Sequence, residues 1–483
     1  MHNGVNYSLY STRTLSPHER KPHAPQRTPH PPPFLFPILL SYLSLTPPII
    51  ATSAAVPAYA ANGAQTGTSH TIKGQANGRK TVKTFTVPAG VRELSFTLTG
   101  GAGGTVMARS QGGCGAKVTG TVSVTPGATV EIVAAAGGIG VLERVTRNGA
   151  SWNESKPATG GEGYGKGGSS AAQVTVPAGP KAIIDAANPR TYGNPTAGDG
   201  APHTHFKRSI YAASGGGSSA LLVNGTVVAI AAGGGGGHVR NSSSTAPLPG
   251  SSYAISPVCG LEWVRGGSGG NAEAAMGYEG AAASDAYTVE ANLQIIATPG
   301  TGGSGGRGGM GAIADTLPTG DHGLVGFGSQ NKQVIHSTST AGATGGTGFN
   351  ANGADGVGAY AYQYDKNDPA NLTGTATART TSITISKNFF GYQTVVSAGG
   401  GAGYGGGGSG VANAVSAIII SQQWCNNPKN PRRAVGYVQQ GGAGGAGGSY
   451  LAPSVRNGAI VGTKEAPAGP NVRVNGMAEV RFK

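Results

Sequence analysis

Charge is scarce in this chain of 483 residues: Asp, Glu, Lys and Arg together make up 11% of it, against roughly 25% in an ordinary soluble domain. That figure excludes a charge-rich disordered tail and a coiled coil, which needs charged residues beside its Leu heptads. Aromatic residues are also few, at 6%. Cysteine occurs only as Cys114, Cys259 and Cys425, too few for a disulfide-stapled scaffold. An odd count allows at most one internal disulfide, and the residues leave all three pairings open. Their separations match no metal-binding motif. Helix signals are nearly missing as well. Glycine fills 87 positions and proline 30, and glycine inside a helix costs about 1 kcal/mol relative to alanine. A typical α/β enzyme is therefore not expected.

The formal net charge is +14, but the bases are scattered and never form a run of five. They read as a solvated surface with weak attraction for anionic wall polymer or membrane. No basic stripe interleaved with aromatics is present, so no nucleic-acid partner is expected. Residues 1–33 carry Arg13, Arg20, Lys21 and Arg27 against one acid, Glu19, and are rich in proline. Such a stretch, basic and without an apolar period, is expected to be disordered in water. An apolar run begins at Phe34 and gives way to Ala58-Tyr59-Ala60-Ala61. A basic region, an apolar core and small alternate residues before a cut make a secretory signal peptide. Residues 34–60 read as its core and cleavage region, with Ala58 and Ala60 before the cut and Ala61 after it. Pro37, Pro47 and Pro48 interrupt the run, whereas a spanning helix wants about 20 apolar residues in a row. Membrane contact is thus expected only through an uncleaved signal segment, and the protein is expected to be secreted or at the cell surface.

Strand patterns and glycine fill the remainder. In the stretch from Phe85 to Leu98, alternation puts Leu94, Phe96 and Leu98 on one face. Lys117 to Val124 and Thr129 to Val133 flank Pro126-Gly127, residues suited to a type II turn. Ser219 to Val223 and Thr226 to Ile230 flank Asn224-Gly225, the strongest short hairpin signal. Further strands read at 292–297, 382–386, 394–398, 415–421 and 476–482. Between strands lie glycine tracts, two of which, 302–311 and 441–448, repeat every three residues. That period fits a polyproline II helix, in which bare glycine faces let neighbouring helices pair N–H with C=O. A flexible glycine linker is the competing reading; the recurrence of tracts at strand ends favours an ordered bundle. Residues 61–80 read as a linker and 81–483 as one glycine-rich β domain, with more ordinary segments inserted at 141–214, 238–300 and 350–393 as loops or disordered inserts.

Four elements together resemble a known family. They are Val87-Pro-Ala-Gly-Val91 entering an alternating strand, the segment 112–127 from Gly-Gly-Cys-Gly-Ala-Lys to Thr-Pro-Gly, Ala231-Ala-Gly-Gly-Gly-Gly-Gly237, and the ending Asn475-Gly-Met-Ala-Glu-Val-Arg-Phe482. They look like the glycine-rich domain of secreted and cell-surface bacterial proteins. The Ile-Ala-Ala-poly-Gly element is also similar to the extracellular glycine-rich region of anaplastic lymphoma kinase. The resemblance implies an all-β, jelly-roll-like β-sandwich with projecting polyglycine helices of the polyproline II type and few or no α-helices in the mature chain. It implies a binding or display module and brings no catalytic residues. Cys114 departs from it by replacing a glycine.

Motifs that look like chemistry do not converge. Gly-x-Ser-x-Gly occurs at 266–270 and 302–306, but a nucleophile elbow needs a following helix, and none is expected. His203 and His205 alternate near Asp199, and a metal site would need a third ligand and supporting partners; a surface loop is the simpler reading. Asp321-His322 reads as a turn. Asp355-Gly356 and the run Asp365 to Asp368 have the look of calcium loops without the bidentate Glu. No catalytic residue, metal or cofactor is expected. Tyrosine outnumbers phenylalanine 17 to 10, and Tyr pairs an apolar ring with a polar tip. Tyr360, Tyr362 and Tyr364 alternate, so on a strand they share a face, either as a stacking platform for a ligand or as a half-buried strand surface. The reading is an exported, non-enzymatic adhesion or display module for an extracellular glycan, wall polymer or protein. The alternatives are a self-assembling matrix protein and, less favoured, a secreted hydrolase.

Overall fold

The computed structural model describes residues 67–106, 110–147, 150–186, 205–244, 270, 272, 277, 286–289, 293–296, 298–314, 317, 320–323, 332–365, 375–376, 385–386, 390–421 and 433–483. The chain divides into two units, Met1–Tyr59 and Ala60–Lys483, and every described residue belongs to the second. The expectations for 1–33, for 34–60 and for the cut at Ala58, Ala60 and Ala61 lie outside the described residues.

The described chain is almost wholly strand and extended backbone. Its strands begin with β1 (Ser69–Lys73), β2 (Thr81–Thr86), β3 (Glu93–Thr99), β4 (Ala116–Ser123), β5 (Thr129–Ala134), β6 (Val141–Arg147) and β7 (Ala150–Lys156). One helix, α1 (Ala178–Ala186), precedes β8 (His205–Tyr211), β9 (Ser219–Val223), β10 (Thr226–Ala231) and β11 (Val239–Ser244). Then come β12 (Ala286–Val289), β13 (Leu293–Ile296), β14 (Gly320–Gly323), β15 (Lys332–His336), β16 (Thr338–Thr340) and β17 (Gly358–Asp365). The short β18 (Thr375–Ala376) and β19 (Ile385–Ser386) are followed by β20 (Phe390–Val396), β21 (Ala412–Ser421) and β22 (Arg433–Gly441). The chain closes with β23 (Tyr450–Leu451), β24 (Arg456–Gly462) and β25 (Met477–Phe482).

The first sandwich packs the sheet β1-β25-β3-β4-β24 on the sheet β2-β5-β9-β10-β23. Its core follows from period-two alternation: Leu94, Phe96 and Leu98 of β3 are buried while the residues between them are not. They meet Val118 and Val122 of β4, Val130 and Ile132 of β5, Leu221 of β9, and Val480 and Phe482 of β25. The turns obey their sequence signals. Asn224 and Gly225 both have positive φ, at 50° and 75°, as a type I′ turn requires. Gly127 has φ 84°, and Ala128 N–H donates to Thr125 C=O at 3.0 Å. The strands expected from the alternating segments, and the all-β sandwich that the resemblance implies, are what this structure has. β1 arises inside 61–80, the stretch read as a linker: Ser69–Lys73 pairs antiparallel with β25 and lays Ile72 against the core. Its short alternation, with one aliphatic residue, carries little signal before that partner strand is known.

A second sandwich faces the sheet β14-β15-β17-β20-β8 with the sheet β11-β22-β21-β16. The inserted segments 141–214 and 350–393 supply β8, β17 and the start of β20 to it, besides the hairpin β6-β7 and the helix α1. Its core is thin. Ala359, Ala361, Ala412 and Ala414 meet Ile210, Val239 and Val395. Fully buried amides of Gln393, Gln439 and Gln440 lie in its sheets. Gln439 Nε2 donates to the Thr394 carbonyl of the facing sheet at 2.9 Å.

Between the sandwiches runs the glycine bundle. The tract 212–218 leads from β8 to β9, 232–238 from β10 to β11, and 442–449 from β22 to β23, so each joins one sandwich to the other. Seven residues at about 3.1 Å each span roughly 22 Å. The hydrogen bonds of Gly233 to Gly237 reveal the helix. Gly233 and Gly236 donate to Ala402 and Gly399, Gly234 and Gly237 donate to Gly101 and Gly104, and Gly235 donates to Gly270. Every third residue therefore meets the same neighbour, which is the three-residue period of polyproline II. In return the five carbonyls accept from Gly447, Gly216, Gly113, Gly444 and Ala213. The tract sits among neighbours on all sides and is buried throughout. A Cβ on Gly233, Gly234, Gly235 or Gly236 would collide with the carbonyl of Gly216, Gly113, Gly444 or Ala213. Glycine here meets a need for contact between backbones, and the flexible-linker reading falls for these tracts.

Two tracts differ in detail. Over 441–448 the period runs unbroken: Gly444 and Gly447 donate to Gly236 and Gly233, and Gly445 and Gly448 to Gly408 and Gly405. Over 302–311, expected as one continuous helix, the chain folds back instead. Ser304 and Arg307 exchange backbone hydrogen bonds of 2.9 and 3.0 Å around Gly305 and Gly306, both with positive φ. The adjacent glycines permit that turn, and composition cannot distinguish it from continuing helix.

Candidate functional site

β17 reads Gly-Ala-Tyr-Ala-Tyr-Gln-Tyr-Asp, small residues alternating with rings. Ala359 and Ala361 are buried in the second core, while Tyr360 and Tyr362 are half-buried on the opposite face. On the inner side Ala359 and Ala361 pack in the same core as Ala412 and Ala414 of the facing sheet. The antiparallel neighbours place Tyr362 between His336 of β15 and Tyr392 of β20.

The rings stack. His336 lies 4.8 Å from Tyr362 at 15° and 5.3 Å from Tyr360 at 22°, and the two tyrosines lie 6.3 Å apart at 8°. These separations fall in the favourable range for aromatic pairs, each contributing about 0.5–1.5 kcal/mol beyond burial. Burial pushes the His336 imidazole below its usual pKa, because the charged ring loses hydration. It is therefore neutral at pH 7 and packs as a flat heteroaromatic ring. The Thr338 hydroxyl fixes the backbone beneath, accepting from Tyr360 N–H at 2.8 Å and donating to Tyr360 C=O at 2.5 Å. From the side, α1 brings Lys181 Nζ within 5.8 Å of the Tyr392 ring centre, a cation–π distance. The arrangement sets aromatic rings, phenol groups and one ammonium side by side.

Tyr360 and Tyr362 thus share a face, as the alternation predicts, but their rings are nearly parallel and engage one another and His336. Tyr364 belongs to the same strand and pairs with Val334; its side chain lies outside the described residues. Sequence reasoning does not reach His336. Its one signal is the alternation from Lys332 to His336, short and beside no turn motif. Lys181 and Tyr392 are equally hidden, since the contact depends on a helix packing over a sheet.

The other candidates do not join this site. Asp199 and His203 lie outside the described residues, as does the side chain of His205, whose backbone opens β8 beside Phe390. Asp321 and His322 form β14, paired with Val334 and Gln333, where the sequence suggests a turn; the flanking glycines extend instead because β15 supplies a pairing edge. Asp355 accepts the Ser169 N–H at 2.7 Å, so its carboxylate ties two tracts together. Asp365 ends β17 and Asp368 lies outside the described residues. Ser268 is outside them too, while Ser304 sits in the turn of the 302–311 hairpin, with no helix after it among the described residues. Cys114 is half-buried in the bundle, its carbonyl accepting from Ala272 at 3.1 Å; Cys259 and Cys425 lie outside the described residues. Among the described residues no group of three His, Cys, Asp or Glu could hold a metal ion, and no helix is long and apolar enough to cross a membrane. No protein-family model matches the chain, and no curated protein matches it.

Proposed function

We propose that this chain is an exported, non-enzymatic binding module that displays the aromatic row of its second sandwich to a glycan, a wall polymer or a protein at or beyond the cell surface. The observation that carries the reading is the Tyr360–His336–Tyr362 stack, mounted on a sheet that the glycine bundle ties to the first sandwich. Rings already held in place lose little freedom on binding. Tyrosine and an ammonium suit partners that present hydroxyls or acidic groups next to apolar faces. The basic, apolar and Ala-x-Ala pattern of the first 60 residues supports export, and the likeness to glycine-rich surface domains supports display.

The test is retention of the purified chain on arrays of glycans and wall polymers, compared with Tyr360→Ala and Tyr362→Ala. Binding that weakens tenfold or more in both variants is expected. Retention unchanged by either variant overturns the assignment of the surface. Export is tested separately by sequencing the N-terminus of the secreted product, expected to begin at Ala61.

A further inference from the structure

We propose that the open side of the glycine bundle is where two copies of this chain associate, each placing an outer tract of the bundle against that of the other. In the interior tract 233–237, every peptide N–H and C=O finds a partner in a neighbouring tract. The outer tracts 308–313 and 341–347 leave a regular part of that capacity unused. Among the described residues, neither the N–H nor the C=O of Gly308, Gly311, Thr344 or Thr347 has a hydrogen-bond partner. These residues recur every three positions, which is the period of the helix, so on each tract they align along one ridge. The two tracts lie side by side and antiparallel, with Gly342 N–H donating to Ala312 C=O at 2.8 Å and Gly345 N–H to Gly309 C=O at 2.9 Å. Together they make a strip of unused donors and acceptors on the outside of the bundle.

Beside that strip stand two exposed apolar side chains, again three residues apart. Met310 is 67% exposed and Ile313 is 79% exposed. Both lie on the tract that carries Gly308 and Gly311. An aliphatic pair next to free peptide groups resembles the unpaired edge of a sheet, which invites another chain.

The occupant follows from the chemistry of the strip. Inside the bundle, what satisfies such a peptide unit is another glycine-rich tract of this same chain. Because each ridge residue offers both a donor and an acceptor, the strip is complementary to itself when turned about a two-fold axis. A second copy supplies the missing partners and covers Met310 and Ile313 together. The contact uses backbone hydrogen bonds and apolar burial, so salt leaves it intact.

Sedimentation of the full chain over a concentration series, at low and at high salt, tests this. Thr344→Pro removes one unused N–H at an exposed position and suits the extended backbone; Met310→Lys with Ile313→Lys charges the strip without touching a buried group. A dimer that persists in high salt is expected for the unaltered chain. Its dissociation constant should rise at least tenfold in each variant, with melting unchanged. A monomer at every concentration overturns the proposal, and so does a dimer that the double Lys variant leaves intact. Self-association of the apolar N-terminal segment, common to all three proteins, shows itself by surviving both variants. If Thr344→Pro disturbs the fold, the double variant alone decides.

Discussion

The two sandwiches use the same strand geometry around opposite interiors. Among the described residues, the first core holds Leu94, Phe96, Leu98, Ile132 and Phe482, and the second holds seven alanines beside Val106, Ile210, Val239 and Val395, with buried glutamine amides in its sheets. Large apolar side chains stabilise by the area they remove from water, at about 25 cal/mol per Å². Alanine contributes little of that, so the described part of the second core gains less from burial, and hydrogen bonds such as Gln439 to Thr394 add to it. Neighbouring regions of one chain can therefore hold the same architecture by different means, and each should fail in its own way.

Four measurements break or sharpen that contrast. Leu98→Ala empties the centre of the first core and should cost about 2–5 kcal/mol in denaturant unfolding. Gly444→Ala should cost about 1–3 kcal/mol or more, because its Cβ would collide with the Gly399 carbonyl; both sandwiches should then lose protection in hydrogen exchange, since 442–449 joins them. Ala446, two positions on, already has room for its methyl group, and Ala446→Gly should cost less than Gly444→Ala. In the second sandwich, Gln439→Ala should cost about 1 kcal/mol, the net worth of one hydrogen bond, with the loss confined to β20, β21 and β22. A global loss there would show that the amides hold more than their own sheets. The smallest effect concerns His336. Its folded pKa lies below the unfolded 6.5, so the unfolded chain takes up the proton first. Stability is full above pH 6.5 and declines as pH falls through it towards the folded pKa. The melting temperature of the unaltered chain should fall on acidification, and His336→Phe should reduce that dependence. His70, whose pKa burial and then Lys83 also lower, adds a slope of the same sign that His70→Asn isolates.

The contrast also explains what can be read in advance. The strands of the first sandwich announce themselves: Leu94, Phe96 and Leu98 alternate with polar residues, and Asn224-Gly225 dictates its turn. The shared face of Tyr360 and Tyr362 is legible from their alternation, but β17 itself is not, since 350–393 reads as a loop or disordered insert. The second sandwich is mostly not. Its described inward residues include many alanines and glutamines, which give weak alternation. β8 and β20 pair in parallel across nearly two hundred residues of sequence, a pairing that no local turn signal marks. His336 cannot be assigned to the tyrosine face until β15 is known to pair with β17. Glycine periodicity points to a bundle, but which tract continues and which turns back, as at Ser304 to Arg307, depends on neighbours that composition does not name.

The three-residue phase of the bundle restricts how this protein can change. One residue inserted at Gly235 would rotate everything after it by a third of a turn and offer each following peptide unit to the wrong neighbour. Three residues would restore the phase but lengthen that tract by about 9 Å, carrying β11 away from its pairing with β22. A tract alone can therefore neither grow nor shrink. The distance between the sandwiches is a single inherited quantity, set jointly by 212–218, 232–238 and 442–449, and descendants of this gene can alter it only by altering all three at once.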